Sequence, residues 1–171
     1  MSYNGNLLVG NRNGLVVNAE LLQANGRAER DAALVMLEQV PGDGRIRVGG
    51  DKGFDTTKFV RECRHMNVMP HVAQNSSRPG GSAIDVRTTR QAGYDISQKK
   101  RKRIEECFGW LKDIALLRKL KPRGLFKVAW IFTFATAAYN RWACLQFLRS
   151  LTIIVVRRRA PCGRHGRSCR R

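Results

Sequence analysis

The apolar positions near the start of the chain form short runs rather than a helical cycle. Leu7–Val9 and Leu15–Leu22 are apolar, β-branched stretches separated by Gly10-Asn11-Arg12-Asn13-Gly14. Asn and Gly supply the positive φ a tight connection needs, so the pattern predicts a β-hairpin, closed by Asn25-Gly26. Residues 28–39 set Ala32, Leu34, Val35 and Leu37 among polar positions, with Glu29 and Asp31 near the positive end of the expected helix. Pro41-Gly42-Asp43-Gly44 breaks it. Arg45–Gly49 is a short strand that delivers Asp51 just past its end, and Gly49, Gly50 and Gly53 permit a sharp exit and a close ligand approach. Thr56–His65 has the pattern of a helix and Val68–Val72 that of a second strand around Pro70. This strand–helix–strand order predicts a right-handed α/β crossover. Ala73–Ser97, rich in Ser, Gly, Pro and Arg and without a period, predicts a mobile loop. Arg78, Arg87 and Arg90 within it suit a nucleic-acid contact or plain solvation.

Gln98–Lys112 is the most structured pattern in the chain. At about 100° per residue, Ile104, Phe108, Leu111 and Ala115 share one stripe, and Arg101, Glu105 and Lys112 fall together on its flank. A carboxylate held there between two cations is placed to bind a metal or a phosphate. Glu106 points away from that flank. An amphipathic surface helix with ordinary i,i+4 charge pairs accounts for the same spacing. Likewise, a helix cap accounts for Asp51 as well as a strand-end metal ligand does.

Beyond this stretch, Arg118–Arg123 is a basic connector closed by Gly124, and residues 125–148 predict a long aromatic and alanine-rich helix. Its longest uncharged run, Val128–Asn140, falls well short of the roughly 20 residues of a membrane span. The expectation is a core helix with Phe126, Trp130, Phe134, Tyr139 and Trp142 packed under the sheet and the Phe108 face. An aromatic base-stacking platform is the alternative. Leu151–Val156 has a strand-like composition.

Charge changes the picture. The 171 residues, 43% of them apolar, suffice for one domain with a real core, and they carry a net charge of +19. Residues 1–97 hold 12 Lys/Arg against 10 Asp/Glu, whereas residues 98–171 hold 20 against 3. So basic a half implies a polyanionic partner, with DNA first and a membrane surface or RNA as rivals. Residues 149–171 have the composition of a disordered basic tail following a domain over 1–148. Five cysteines without framework spacing, and no apolar run after Met1, predict free thiols in a reducing cytoplasm. The Asn75-Ser76-Ser77 sequon then has no meaning. Cys162, His165 and Cys169 lack a fourth zinc ligand nearby, and a part-buried helix explains Cys63 and His65.

Arg101, Glu105 and Lys112 fit the Y-x2-R-x3-E-x6-K signature of DDE transposases from bacterial insertion sequences, a family the chain resembles. Gln98 stands at the Tyr position, a departure. Phe108-Gly109-Trp110-Leu111 is similar to the same family, and Asp51-Lys52-Gly53-Phe54-Asp55 resembles the segment carrying its second catalytic Asp. The similarity covers Ser2 to Leu148. It implies an α/β, RNase H-like catalytic domain in which two Asp and one Glu hold Mg²⁺ or Mn²⁺ for DNA cleavage and strand transfer. Asp51 and Glu105 match the second and third of these, as catalytic and metal-binding residues. Arg101 and Lys112, with Lys99, Lys100, Lys102 and Arg103, would hold DNA phosphates. The implied partners are insertion-sequence ends, with a second copy or a full-length transposase, in a bacterial nucleoid. In the family the first Asp lies on a strand ahead of the hairpin. The expectation is therefore an N-terminally truncated copy, its sheet lacking the first strand and its activity impaired or lost. Asp31, on the first helix, and Asp43, in a turn, do not substitute by position. The alternatives are a non-catalytic basic DNA-binding protein derived from a transposase, and a membrane-surface or RNA binder acting through its Arg-rich tail.

Overall fold

The computed structural model describes residues 2–157 apart from Asp43 and Arg78, with the backbone alone over 149–157. The expected hairpin forms from β1 (Tyr3–Val9) and β2 (Val16–Gln23), antiparallel from Tyr3↔Gln23 to Val9↔Val16 with an irregularity between Leu8 and Val9. Gly14, at φ 70°, supplies the left-handed residue of its connection. Helix α1 (Ala28–Glu38) follows and buries Ala28, Ala32, Met36 and Leu37. Strand β3 (Ile46–Gly50) pairs in parallel with β4 (Val68–Val72). Helix α2 (Thr57–His65) connects them, as the strand–helix–strand order predicts. Thr56 starts α2 by accepting the Phe59 N–H, and the helix turns Phe59, Val60 and Cys63 inward.

The described strands thus make two separate two-stranded sheets, and α1 packs against the hairpin and against α2. Mixed α/β order, small sheets and a long final helix are consistent with a partial RNase H-like domain. Two cores hold the chain together. One gathers Leu37, Phe59, Val60, Cys63, Val68, Val72 and Ile84, and the other Leu7, Cys107, Leu111, Phe132, Ala135 and Tyr139.

Three stretches differ from the sequence expectation. The segment 73–97 is not one loop, because it contains α3 (Val86–Thr89) and most of α4 (Ala92–Lys100). Asp85 caps α3, accepting the Thr88 N–H at 3.1 Å. Helix α4 escapes hydrophobic periodicity because its inward face is polar. Tyr94, Ser97 and Gln98 recur at helical spacing and bond to β4: Tyr94 Oη donates to Val72 O (2.8 Å), Gln98 Nε2 donates to His71 O (2.6 Å), and Ser97 Oγ meets His71 Nδ1 (2.8 Å). The second difference is the helix expected over 98–112, which divides into α4 and α5 (Arg103–Asp113) across a tight turn at Arg101–Lys102. The break suits the charges. Lys99 and Lys100 lie in the last turn of α4 and Glu105 and Glu106 in the first turn of α5, each the favourable end of its helix.

The third concerns α6, which runs from Leu125 to Arg157, so the strand-like Leu151–Val156 is helical. No Pro or Gly interrupts the run, and the small propensity cost of β-branched residues does not stop an established helix. Val128, Phe132, Ala135, Thr136 and Tyr139 form its buried face. Asn140 docks that face on the hairpin, its Oδ1 accepting the Val16 N–H at 2.7 Å and its Nδ2 donating to Val16 O at 2.8 Å. Tyr139 Oη donates to Gly14 O at 3.2 Å. Of the aromatics expected in the core only Tyr139 is buried. Trp142 is partly exposed beside Trp110 and Tyr139, whereas Phe126, Trp130 and Phe134 project from the opposite side. With apolar side chains all round, the sequence of α6 does not mark which side faces in. No described helix is long and apolar enough to cross a membrane. Arg78, Asp43, Cys162, His165, Cys169 and residues 158–171 of the basic tail lie outside the described residues.

Candidate functional site

Asp51 sits where β3 ends. Its carboxylate caps a single 3-10 turn (Lys52–Phe54), Oδ1 accepting the Gly53 N–H at 2.8 Å. An added Cβ on Gly53 would crowd that oxygen at 3.0 Å, so a side chain there would push the Asp51 carboxylate aside. The helix after the glycines has its own cap in Thr56, so Asp51 caps only the short turn and remains exposed at the strand end.

The end of α4 closes against the same strand. A Cβ built on Gly49 would lie 3.3 Å from Ser97 O and 3.7 Å from Arg101 Cβ. Glycine eases so near an approach, since a Cβ would press on the helix backbone. This contact sets the Arg101 backbone beside β3, two residues before Asp51, and so joins the strand-end motif to the basic one. Arg101 is half-buried, and its Nε is buried with no hydrogen-bond partner. Such an orphan donor on a cation is costly unless an acceptor completes it.

Glu105 and Glu106 are both exposed in the first turn of α5. Glu106 lies near enough to Tyr139 for its charge to help raise the phenol's pKa, behind burial and the nearby Cys107. Lys99, Lys100, Lys102 and Lys112 are exposed. Arg103 has a structural task, its Nη1 donating to Asn11 O at 3.1 Å and Arg12 O at 2.7 Å, which ties α5 to the hairpin turn.

A two-ion centre makes specific demands on its donor set. Asp51 and Glu105 offer the hard carboxylate oxygens that Mg²⁺ or Mn²⁺ takes. Among the described residues, however, no group of three or more His, Cys, Asp or Glu side chains is arranged to hold a metal. Two carboxylates can share one ion, but bridging two ions needs another ligand. The residues described therefore do not fit a complete two-ion centre.

Several organising residues carry no sequence signal of their own. Asp55 is 2% exposed, and its carboxylate accepts the Asn75 N–H at 2.7 Å and the Ala83 N–H at 2.9 Å. Both bonds pin the segment that leads to α3. His71 is fully buried between β4 and α4. Burial, chiefly, and the charge of Arg47 lower its pKa from the ordinary 6.5, against a smaller opposing pull from Gln91 and Gly93. Cys63 and Cys107 are free, buried thiols pushed up to about 12 by desolvation, while the free Cys144 is exposed. Burial of this kind makes the first two inert packing groups.

A protein-family model described as "Transposase DDE domain" matches residues 1–141. No curated protein and no solved structure matches the chain.

Proposed function

The chain belongs to the transposase DDE domain family, and on that premise we propose that it engages insertion-sequence DNA through the basic end of α4 and the turn into α5. In this reading Asp51 and Glu105 are two of the carboxylates of the family's cleavage and strand-transfer chemistry. Mg²⁺ or Mn²⁺, when held, would supply activation of the attacking hydroxyl and stabilisation of the leaving oxygen. The observation that supports the reading is the seating of α4 on Gly49, which sets Arg101 beside the strand that ends in Asp51, with Lys99, Lys100 and Lys102 exposed on either side of it in the chain. In this reading the Arg101 guanidinium holds a phosphate oxygen there, its buried Nε standing outside that contact. Lys99, Lys100 and Lys102 neutralise neighbouring phosphates, and Lys112 adds a cation one helix further on.

Among the described residues the carboxylates fall short of a two-ion centre, so in this reading DNA binding does not depend on cleavage. A third carboxylate brought by another segment or chain would be needed for cleavage. A second copy or another transposase is the partner that fits this need. The test is the salt dependence of duplex binding. Replacing Lys99, Lys100 and Lys102 by Gln should flatten the slope of log K against log salt by up to about 3, roughly one unit per lost phosphate contact. An unchanged slope would remove α4 from the DNA footprint.

A further inference from the structure

The outer face of α6 has no partner within the chain. Phe126, Trp130 and Phe134 recur at four-residue spacing and are 85%, 64% and 64% exposed, although each is large and aromatic. Trp130 and Phe134 already lie parallel, with ring centroids 5.6 Å apart and planes 7° from each other. Phe126 stands one turn before this pair. Such a stack is preorganised to continue onto a further planar π system.

Charge identifies the occupant. After Asp113 the sequence contains no Asp or Glu to its end. Lys119, Lys121 and Arg123 on the connector and Lys127 on the first turn of α6 are all exposed. Two copies meeting through this face would set the cations of α6 and its connector against each other, which disfavours a homodimer. Aromatic faces beside a line of cations are what single-stranded nucleic acid requires, because bases stack on the rings while the backbone follows the charge. Bases paired within a duplex cannot reach such rings.

We propose that this face binds single-stranded DNA, such as a frayed or unpaired end, with a base stacking on the Trp130–Phe134 pair and the exposed Lys121 and Lys127 holding the adjoining phosphates. The inference rests on the reading of the chain as a DNA-engaging protein, and it adds a second contact surface remote in sequence from α4. Since Trp130 and Phe126 are exposed, replacing either leaves both cores intact.

The experiment compares an oligothymidylate strand with a duplex of equal length, measuring affinity for the full chain and for the Trp130→Ala, Trp130→Phe, Phe126→Ala and Lys121→Gln/Lys127→Gln variants. Circular dichroism confirms folding. The expected result is single-strand affinity weakened on the order of tenfold in Trp130→Ala, largely retained in Trp130→Phe, and reduced in Phe126→Ala, with duplex affinity unchanged in all three. The lysine double variant should flatten the single-strand salt slope by about 1.4. Unchanged single-strand affinity in Trp130→Ala, with duplex binding intact, overturns the inference alone. Failure to bind duplex at all would instead overturn the proposed function. Loss in Trp130→Ala of self-association or of binding to phosphatidylglycerol vesicles, with single-strand affinity intact, would assign the face to a second copy or to a lipid surface and overturn the inference.

Discussion

Asn140→Ala separates the two faces of α6. The Asn140 amide makes both hydrogen bonds to the backbone of Val16, at 2.7 and 2.8 Å, where the β1–β2 ladder is irregular. Alanine would leave a part-buried N–H and C=O without partners, and each such net bond is worth about 0.5–1.5 kcal/mol. The expected loss is about 2 kcal/mol, which for a chain of this length lowers the thermal midpoint by about 4–8 °C. Trp130→Ala, ten residues away on the exposed side, should change stability by less than about 0.5 kcal/mol, as surface substitutions do. This reverses the order that residue size alone suggests, since Trp is much the larger deletion. Urea titrations followed by far-ultraviolet circular dichroism give both values. A Trp130→Ala loss of several kcal/mol with Asn140→Ala near neutral would refute the docking of α6 through Asn140 and place the aromatic stripe in a core.

Other perturbations test other parts of the structure. His71 is buried with its pKa below 6.5, so below that pH the unfolded chain takes up its proton first. Stability should be full above about pH 6.5 and decline as pH falls toward the folded-state value; comparing urea midpoints at pH 7.5 and 5.5, the drop should be smaller in His71→Gln. Gly49→Ala forces a Cβ to 3.3 Å from the Ser97 carbonyl, so it should cost about 1–3 kcal/mol and weaken duplex binding by shifting α4. A stable variant with full affinity would show that the close approach does not matter. In a Cys162→Ser/Cys169→Ser background, a thiol reagent should modify Cys144 quickly and reach Cys63 and Cys107 only on unfolding, which timed mass spectrometry would show.

How much was legible in the sequence depended on whether the inward residues were apolar. The hairpin, α1, β3, α2 and β4 follow apolar patterns punctuated by Gly, Pro and Asn, and their boundaries fall within a few residues of those expected. Helix α4 packs through Tyr94, Ser97 and Gln98 on backbone carbonyls and His71, and polar packing leaves no hydrophobic period. The division between α4 and α5 was hidden because a continuous helical wheel absorbs a tight turn at Arg101–Lys102. For α6 the difficulty is reversed: both sides are apolar, so only the docking of Tyr139 and Asn140 on the hairpin reveals which side faces in. Asp51 was readable at the end of its strand, but the sequence did not show that Gly49 and Gly53 hold, respectively, α4 and the Asp51 carboxylate in place. Asp55, four residues on in the same motif, gives no sign in sequence of its buried role.

The central claim is that this member of the transposase DDE domain family engages DNA but lacks, in its own described residues, the donors for a two-ion centre. The most direct measurement is nicking of supercoiled DNA carrying the element's ends, with Mg²⁺ or Mn²⁺, alongside binding to the same DNA. The account predicts salt-sensitive binding without cutting by the 171-residue chain. It also predicts cutting when a segment bearing a further Asp is supplied, and loss of that cutting in Asp51→Asn or Glu105→Gln. Metal-dependent cutting by the unaided chain, abolished in Glu105→Gln, would contradict it.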